Sequence, residues 1–118
     1  MVIVTVTRDV KGKIVQFEAT GHADFAKLGE DIVCAAVSSL LQTTLLGLQE
    51  YLKINLEINK EKGNLKVRIK EIPQQSLQIE ACLVATEAIL ETMVLGLKAI
   101  EKEYKEYMKL ITVQVDRL

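Results

Sequence analysis

One histidine, one proline and two cysteines are all that this 118-residue chain holds of the residues that most often build metal centres, kinks and disulfides. Two cysteines do not make a disulfide framework. A structural zinc site needs about four nitrogen or sulfur ligands and a catalytic one about three. His22, Cys34 and Cys82 fall short of that even with Asp24 and Asp31 nearby, so neither a metal nor another cofactor is expected. No glycine-rich phosphate loop and no Gly-x-Ser-x-Gly elbow occurs. Basic charge is not in excess either: 15 Lys and Arg stand against 16 Asp and Glu, for a net charge of −1 and a pI near 5.9. Nucleic-acid binders usually carry a basic stripe, so direct nucleic-acid binding is disfavoured. No cationic start with an apolar run and a small-residue cleavage site opens the sequence. The longest uncharged stretch, residues 32–49, nearly reaches bilayer-spanning length. It holds Ser38, Ser39, Gln42, Thr43, Thr44, Gly47 and Gln49 and lacks basic flanks, so it reads as a buried helix. A cytoplasmic protein with no membrane partner is expected.

What is present reads as one globular domain over residues 1–118, with 49% hydrophobic and 26% charged residues. Residues 2–8 and 13–20 alternate apolar and polar around the turn signal Asp9-Val10-Lys11-Gly12, a β-hairpin. Ile54, Leu56 and Ile58, then Leu65, Val67 and Ile69, alternate around Glu61-Lys62-Gly63-Asn64 as a second hairpin. A helix is expected over residues 31–52, with Val33, Val37, Leu40, Thr44, Leu48 and Tyr51 on one face. Leu41, Leu45, Leu46 and Leu52 fall outside that stripe, which suggests burial on more than one side. Pro73 marks a boundary. A long amphipathic helix follows over residues 76–104, with Cys82, Ala85, Ile89, Met93, Gly96 and Ile100 as its stripe and Glu80, Glu87, Glu91, Lys98 and Lys102 opposite. A last strand over residues 109–115 places Ile111, Val113 and Val115 on its apolar side. The order ββαββαβ with one-sided strands predicts an α/β (α+β) fold. It is a two-layer sandwich, with a mixed or antiparallel sheet and two helices on one face.

The chemistry concentrates between Gly21 and Ser38. Asp31 is a good N-cap residue, which puts Cys34 in the first turn of its helix. A thiol is nucleophilic as thiolate, and its unperturbed pKa is about 8.5. Helix N-terminal amides and an ion pair with His22 would lower it, whereas a close Asp31 would raise it. Against catalysis stands the fact that free cysteine is among the most buried residue types. His22, directly after Gly21, reads equally as a general base or as a loop histidine bonded to backbone. Ser38 follows Cys34 by one turn on the same face; it either joins a site or back-bonds to the carbonyl of Cys34. Cys82 sits on an apolar stripe and reads as core.

Gly21-His22-Ala23, followed by Asp31-Ile32-Val33-Cys34-Ala35-Ala36-Val37-Ser38 at this spacing, resembles the ribosomal-processing cysteine protease family, Prp. The motif covers about eighteen residues, and the small size and ββαββαβ order fit the whole chain. The resemblance implies a cytoplasmic cysteine protease, usually a homodimer. It implies removal of the N-terminal extension of one large-subunit ribosomal protein, number twenty-seven, by cleavage after an aromatic residue. It makes Cys34 the nucleophile and His22 its partner, with Asp31, Ser38 and Gly21 as supporting motif positions. A helix-end oxyanion site that includes the Cys34 amide, and a loop over residues 23–30 closing on the peptide with Gly21 and Gly29 as hinges, would complete the site. A non-enzymatic thiol redox switch and a module that binds a ribosomal protein without cutting it are the alternatives.

Overall fold

The computed structural model of the chain describes residues 1–21, 28–70 and 79–115, and of residues 28–30 the backbone only. Strands β1 (Val2–Arg8) and β2 (Ile14–Thr20) form the first hairpin. Its turn is held by Asp9, whose carboxylate oxygen accepts the backbone N–H groups of Lys11 and Lys13 at 2.8 and 3.0 Å. That bonding explains why an acidic residue is buried there. Strands β3 (Leu56–Glu61) and β4 (Asn64–Ile69) form the second hairpin, with Glu61 paired to Asn64 across a Lys62-Gly63 tip. Strand β5 (Met108–Gln114) runs parallel to β1, and the order across the sheet is β3-β4-β2-β1-β5. The sheet is therefore mixed, one of the two arrangements that the alternation allowed.

One face of the sheet is apolar. Val2, Val4 and Val6 of β1, Phe17 and Ala19 of β2, Leu65 and Val67 of β4 and Met108 of β5 are all buried. Helices α1 (Leu28–Leu46) and α2 (Ile79–Glu103) lie over it, and a π-helical turn, Gly47–Tyr51, prolongs α1. From α1 and this turn come Val33, Val37, Leu41 and Leu48, and from α2 come Leu90, Met93, Val94 and Leu97. The buried hydroxyls of Thr44 and Thr86 bond back to the carbonyls of Leu40 and Cys82 at 2.8 and 2.7 Å, so neither is left unsatisfied. The two helices approach closely at Gly96, which faces Leu40, and at Gly47, which faces Ile89. The 21 residues Asp31–Tyr51 are long and apolar enough to cross a membrane, but here the face bearing Val33, Val37, Leu41 and Leu48 is spent on the sheet.

Three expectations need correction. Tyr51 does not share the α1 stripe: it is 84% exposed, and Leu41 is buried in the stripe instead. In the π turn the Leu52 amide reaches back five residues to the Gly47 carbonyl, and this wider turn rotates Tyr51 off the face that the α-helical period assigns it. On α2, the residues turned to the sheet include Thr86, Leu90, Val94 and Leu97 as well as Met93, while Ile89 and Gly96 face α1. The helix is buried on two sides, and the sequence stripe marked the seam. On β5 the pairings Val2 with Met108 and Val4 with Leu110 put Met108 and Leu110 inward, leaving Ile111 and Val113 on the open face. Glu91, assigned to the solvated side, holds Arg8 of β1 in a two-bond ion pair at 2.7 and 2.9 Å. That pair keeps the Glu91 carboxyl below the usual carboxylate range, chiefly through the Arg8 hydrogen bonds, and raises the Arg8 guanidinium.

Candidate active site

Strand β2 delivers the chain to Gly21, whose position is fixed from two sides. Its N–H donates to the Gly63 carbonyl at 3.2 Å, tying it to the tip of the second hairpin. Its φ of 97° lies in the left-handed region, and a side chain there would run into the carbonyl oxygen of Met1. Only glycine fits. His22 and Asp24 come next and lie outside the described residues, as does the loop expected to hinge on Gly21 and Gly29.

Helix α1 starts at Leu28, not at Asp31. Asp31 is consequently a helical residue, exposed in the first turn, rather than the N-cap. Asp31 sits near the start of the helix, where the dipole favours an acidic residue. Cys34 becomes the seventh residue of the helix. Its amide is inside the ladder, because only the first four N–H groups of a helix lack an intrahelical partner. The expected helix-end oxyanion donor at Cys34 is thereby corrected, since its amide lies beyond the first four of the helix.

The Cys34 side chain is half-buried and packs against the core; neither it nor Cys82 is in a disulfide. Ser38, half-buried, follows one turn later on the same face, with its Oγ accepting the Gln42 side-chain amide at 2.8 Å. The Ser38 hydroxyl thus meets a second polar side chain of the same helix face. Beyond it opens a cavity of about 250 Å³ between α1 and the β3–β4 hairpin, lined by Ser38, Leu41, Gln42 and residues 60–65. The hairpin wall was not legible as part of a site, since only the folded topology brings it beside α1. A second cavity, about 280 Å³, lies on the open sheet face among Gln16, Glu57, Asn59, Lys66 and Arg68. Arg68 bonds Glu57 there and holds its carboxyl below the usual range. Among the described residues no group of three or more His, Cys, Asp or Glu is arranged to hold a metal ion.

A helix-borne thiol one turn from a cavity, carried on a two-layer α+β scaffold, is an arrangement that a small cysteine hydrolase can use. Comparison with known proteins is more specific. The family model described as "Cysteine protease Prp" matches residues 1–109. The ribosomal processing cysteine protease Prp of Bacillus subtilis (strain 168) is 31% identical over 118 residues, spanning 95% of this chain and 97% of the relative. That of Staphylococcus aureus (strain Mu50 / ATCC 700699) is 32% identical over 114 residues, spanning 93% and 97%. The crystal structure of the S. aureus essential ribosomal processing protease Prp with a substrate peptide superposes with a TM-score of 0.81 at 27% identity, over 95% of this chain and 99% of that one. The chain belongs to the Prp family of ribosomal processing cysteine proteases.

Proposed function

We propose that this protease removes the N-terminal extension of large-subunit ribosomal protein twenty-seven in the cytoplasm, with Cys34 as nucleophile and His22 as its acid and base. The observation that carries the reading is Cys34, half-buried on α1 and outside any disulfide, with Ser38 one turn on along the same face. The S. aureus relative has also been solved with a covalently linked product peptide, at a TM-score of 0.76 and 28% identity over 95% of this chain and 99% of that one, which supports covalent catalysis here. The Cys34 sulfur, having lost its proton to His22, adds to the scissile carbonyl carbon. The tetrahedral adduct collapses as the C–N bond breaks and His22 protonates the leaving amine. Water, deprotonated by His22, then attacks the thioester, and the acid product departs as the sulfur is released. Asp31 and Ser38 would support the pair from the same helix, and Gly21 fixes the backbone that enters His22.

A homodimer is part of the proposal. Ile32 and Leu46 on α1 and Val84 and Leu95 on α2 are each more than half exposed, apolar surface of the kind a partner subunit covers. Light scattering behind a sizing column reads it directly.

The deciding experiment incubates the protein with the extended ribosomal protein and weighs the products by mass spectrometry. One cut near the substrate's N-terminus is expected, abolished by Cys34→Ala and by His22→Ala. Intact substrate that binds without being cut would replace the reading with a binding module. Loss of binding on oxidation of Cys34, with no cut at any time, would favour the redox switch.

A further inference from the structure

The cavity between α1 and the β3–β4 hairpin is unused in the chemistry above. We propose that it is the subsite for the substrate segment flanking the scissile bond, an extended peptide held at its main chain by the amides of Gln42 and Asn64, with an uncharged side chain lying over Leu41 and Leu65. The inference rests on the peptidase reading of Cys34.

Its position favours this use. Ser38 lines the cavity and stands four residues from Cys34, about 6 Å along one helix face. A segment seated here lies along the helix face that carries Cys34, within a few residues of it. The far wall is tied to the other half of the candidate site, because the Gly63 carbonyl accepts the Gly21 amide directly before His22. A peptide held by the hairpin would therefore be registered against both.

Its chemistry favours a peptide over a charged small molecule. Leu41 and Leu65 give an apolar floor, and Gln42, Asn64, Lys60, Glu61 and Lys62 a polar rim carrying both signs of charge. An apolar floor with a few polar groups at its edge is how such sites fix orientation. About 250 Å³ takes one large side chain with its own main chain. The Gln42 amide is held along the wall by its bond to Ser38 Oγ. Asn64 Oδ1 is shut off from solvent with no donor among the described residues. A buried acceptor without a donor is a standing cost to stability. Rotation of the Asn64 side chain toward a bound peptide N–H would relieve it.

The test compares wild type, Gln42→Ala and Asn64→Leu on a cleavable peptide and on versions shortened residue by residue from each side of the cut. Each variant should lower kcat/KM on the full peptide roughly tenfold, the loss of about one hydrogen bond, mainly through KM. Shortening one side should erase the difference. Cys34 alkylation by iodoacetamide should be unchanged, and Asn64→Leu should melt no lower than wild type. Gln42 is exposed on a helix, so that variant folds whatever Asn64→Leu does. Unchanged kcat/KM in both variants, or an equal loss on every shortened peptide, overturns the subsite while leaving the peptidase reading intact. A wild-type protein that alkylates normally but cuts no peptide overturns both.

Discussion

Replacing Gly21 by alanine should cost about 2–3 kcal/mol, from two separable sources. The φ of 97° is a conformation that an L side chain adopts only at about 1–2 kcal/mol. The new Cβ would also collide with the Met1 carbonyl oxygen. The cheapest relief is to turn the Met1–Val2 peptide, but its other side is committed: the Val2 N–H donates to the Tyr107 carbonyl at 2.8 Å. Turning it forfeits that bond, worth about 1 kcal/mol. Gly12 is the control, with a similar φ of 83° and nothing within 4 Å of an added Cβ, so Gly12→Ala should show the strain alone, about 1 kcal/mol. At about 4 °C per kcal/mol for a chain of this size, the expected drops in Tm are about 10 °C for Gly21→Ala and about 4 °C for Gly12→Ala. Thermal and urea unfolding read both. Equal losses would refute the collision argument, and no loss at Gly21 would refute the whole account of why glycine precedes His22.

Glu91→Gln should cost about 1 kcal/mol at neutral pH, since the Arg8–Glu91 pair is partly exposed. Because the folded state depresses the Glu91 pKa through Arg8, that stability is present above the ordinary carboxylate range and is lost as pH falls through the depressed value. Urea midpoints for wild type and variant should therefore converge in acid; a constant gap would be contrary evidence. Glu101 accepts the Leu110 N–H of edge strand β5 at 2.6 Å, so Glu101→Ala should cost about 1–2 kcal/mol and speed hydrogen exchange at the Leu110 amide. Lys53 carries φ 54° where the chain leaves the π turn, and Lys53→Gly should raise stability by about 0.5–1 kcal/mol, read as a higher Tm.

The residues made the strands legible where one face is apolar and the other is not. Val4 and Val6, Phe17 and Ala19, Leu65 and Val67 alternate cleanly with polar neighbours, and each is buried. Strand β5 is apolar on both sides, with Met108 and Leu110 against Ile111 and Val113, so alternation cannot choose the face. Parallel pairing with β1 chooses it. The site was half legible. Cys34 and Ser38 share a helix face as their spacing requires, whereas the hairpin wall at residues 60–65 reaches them only through the order of strands. Asp31 misled because its cap preference and its fitness for a first turn are both real, and the helix used the second.

The earlier start of α1 changes how Cys34 must be activated. A thiol at a helix end is helped by orphan amides and by the dipole, and that help fades within the first turn. Here Cys34 is the seventh residue of α1 as described, beyond the reach of that help. What α1 supplies to Cys34 is placement: Val33 and Val37 are buried in the core on either side of it, which fixes the rotation of the helix about the sulfur. In the mechanism proposed above, the proton chemistry would then rest on His22. Gly21 is tied to Gly63 at the tip of the second hairpin, and Cys34 is held by the packing of α1 on the sheet. The β3–β4 hairpin, bonded to Gly21 through Gly63 and walling the cavity beside Ser38, is the element that links the end of β2 to α1.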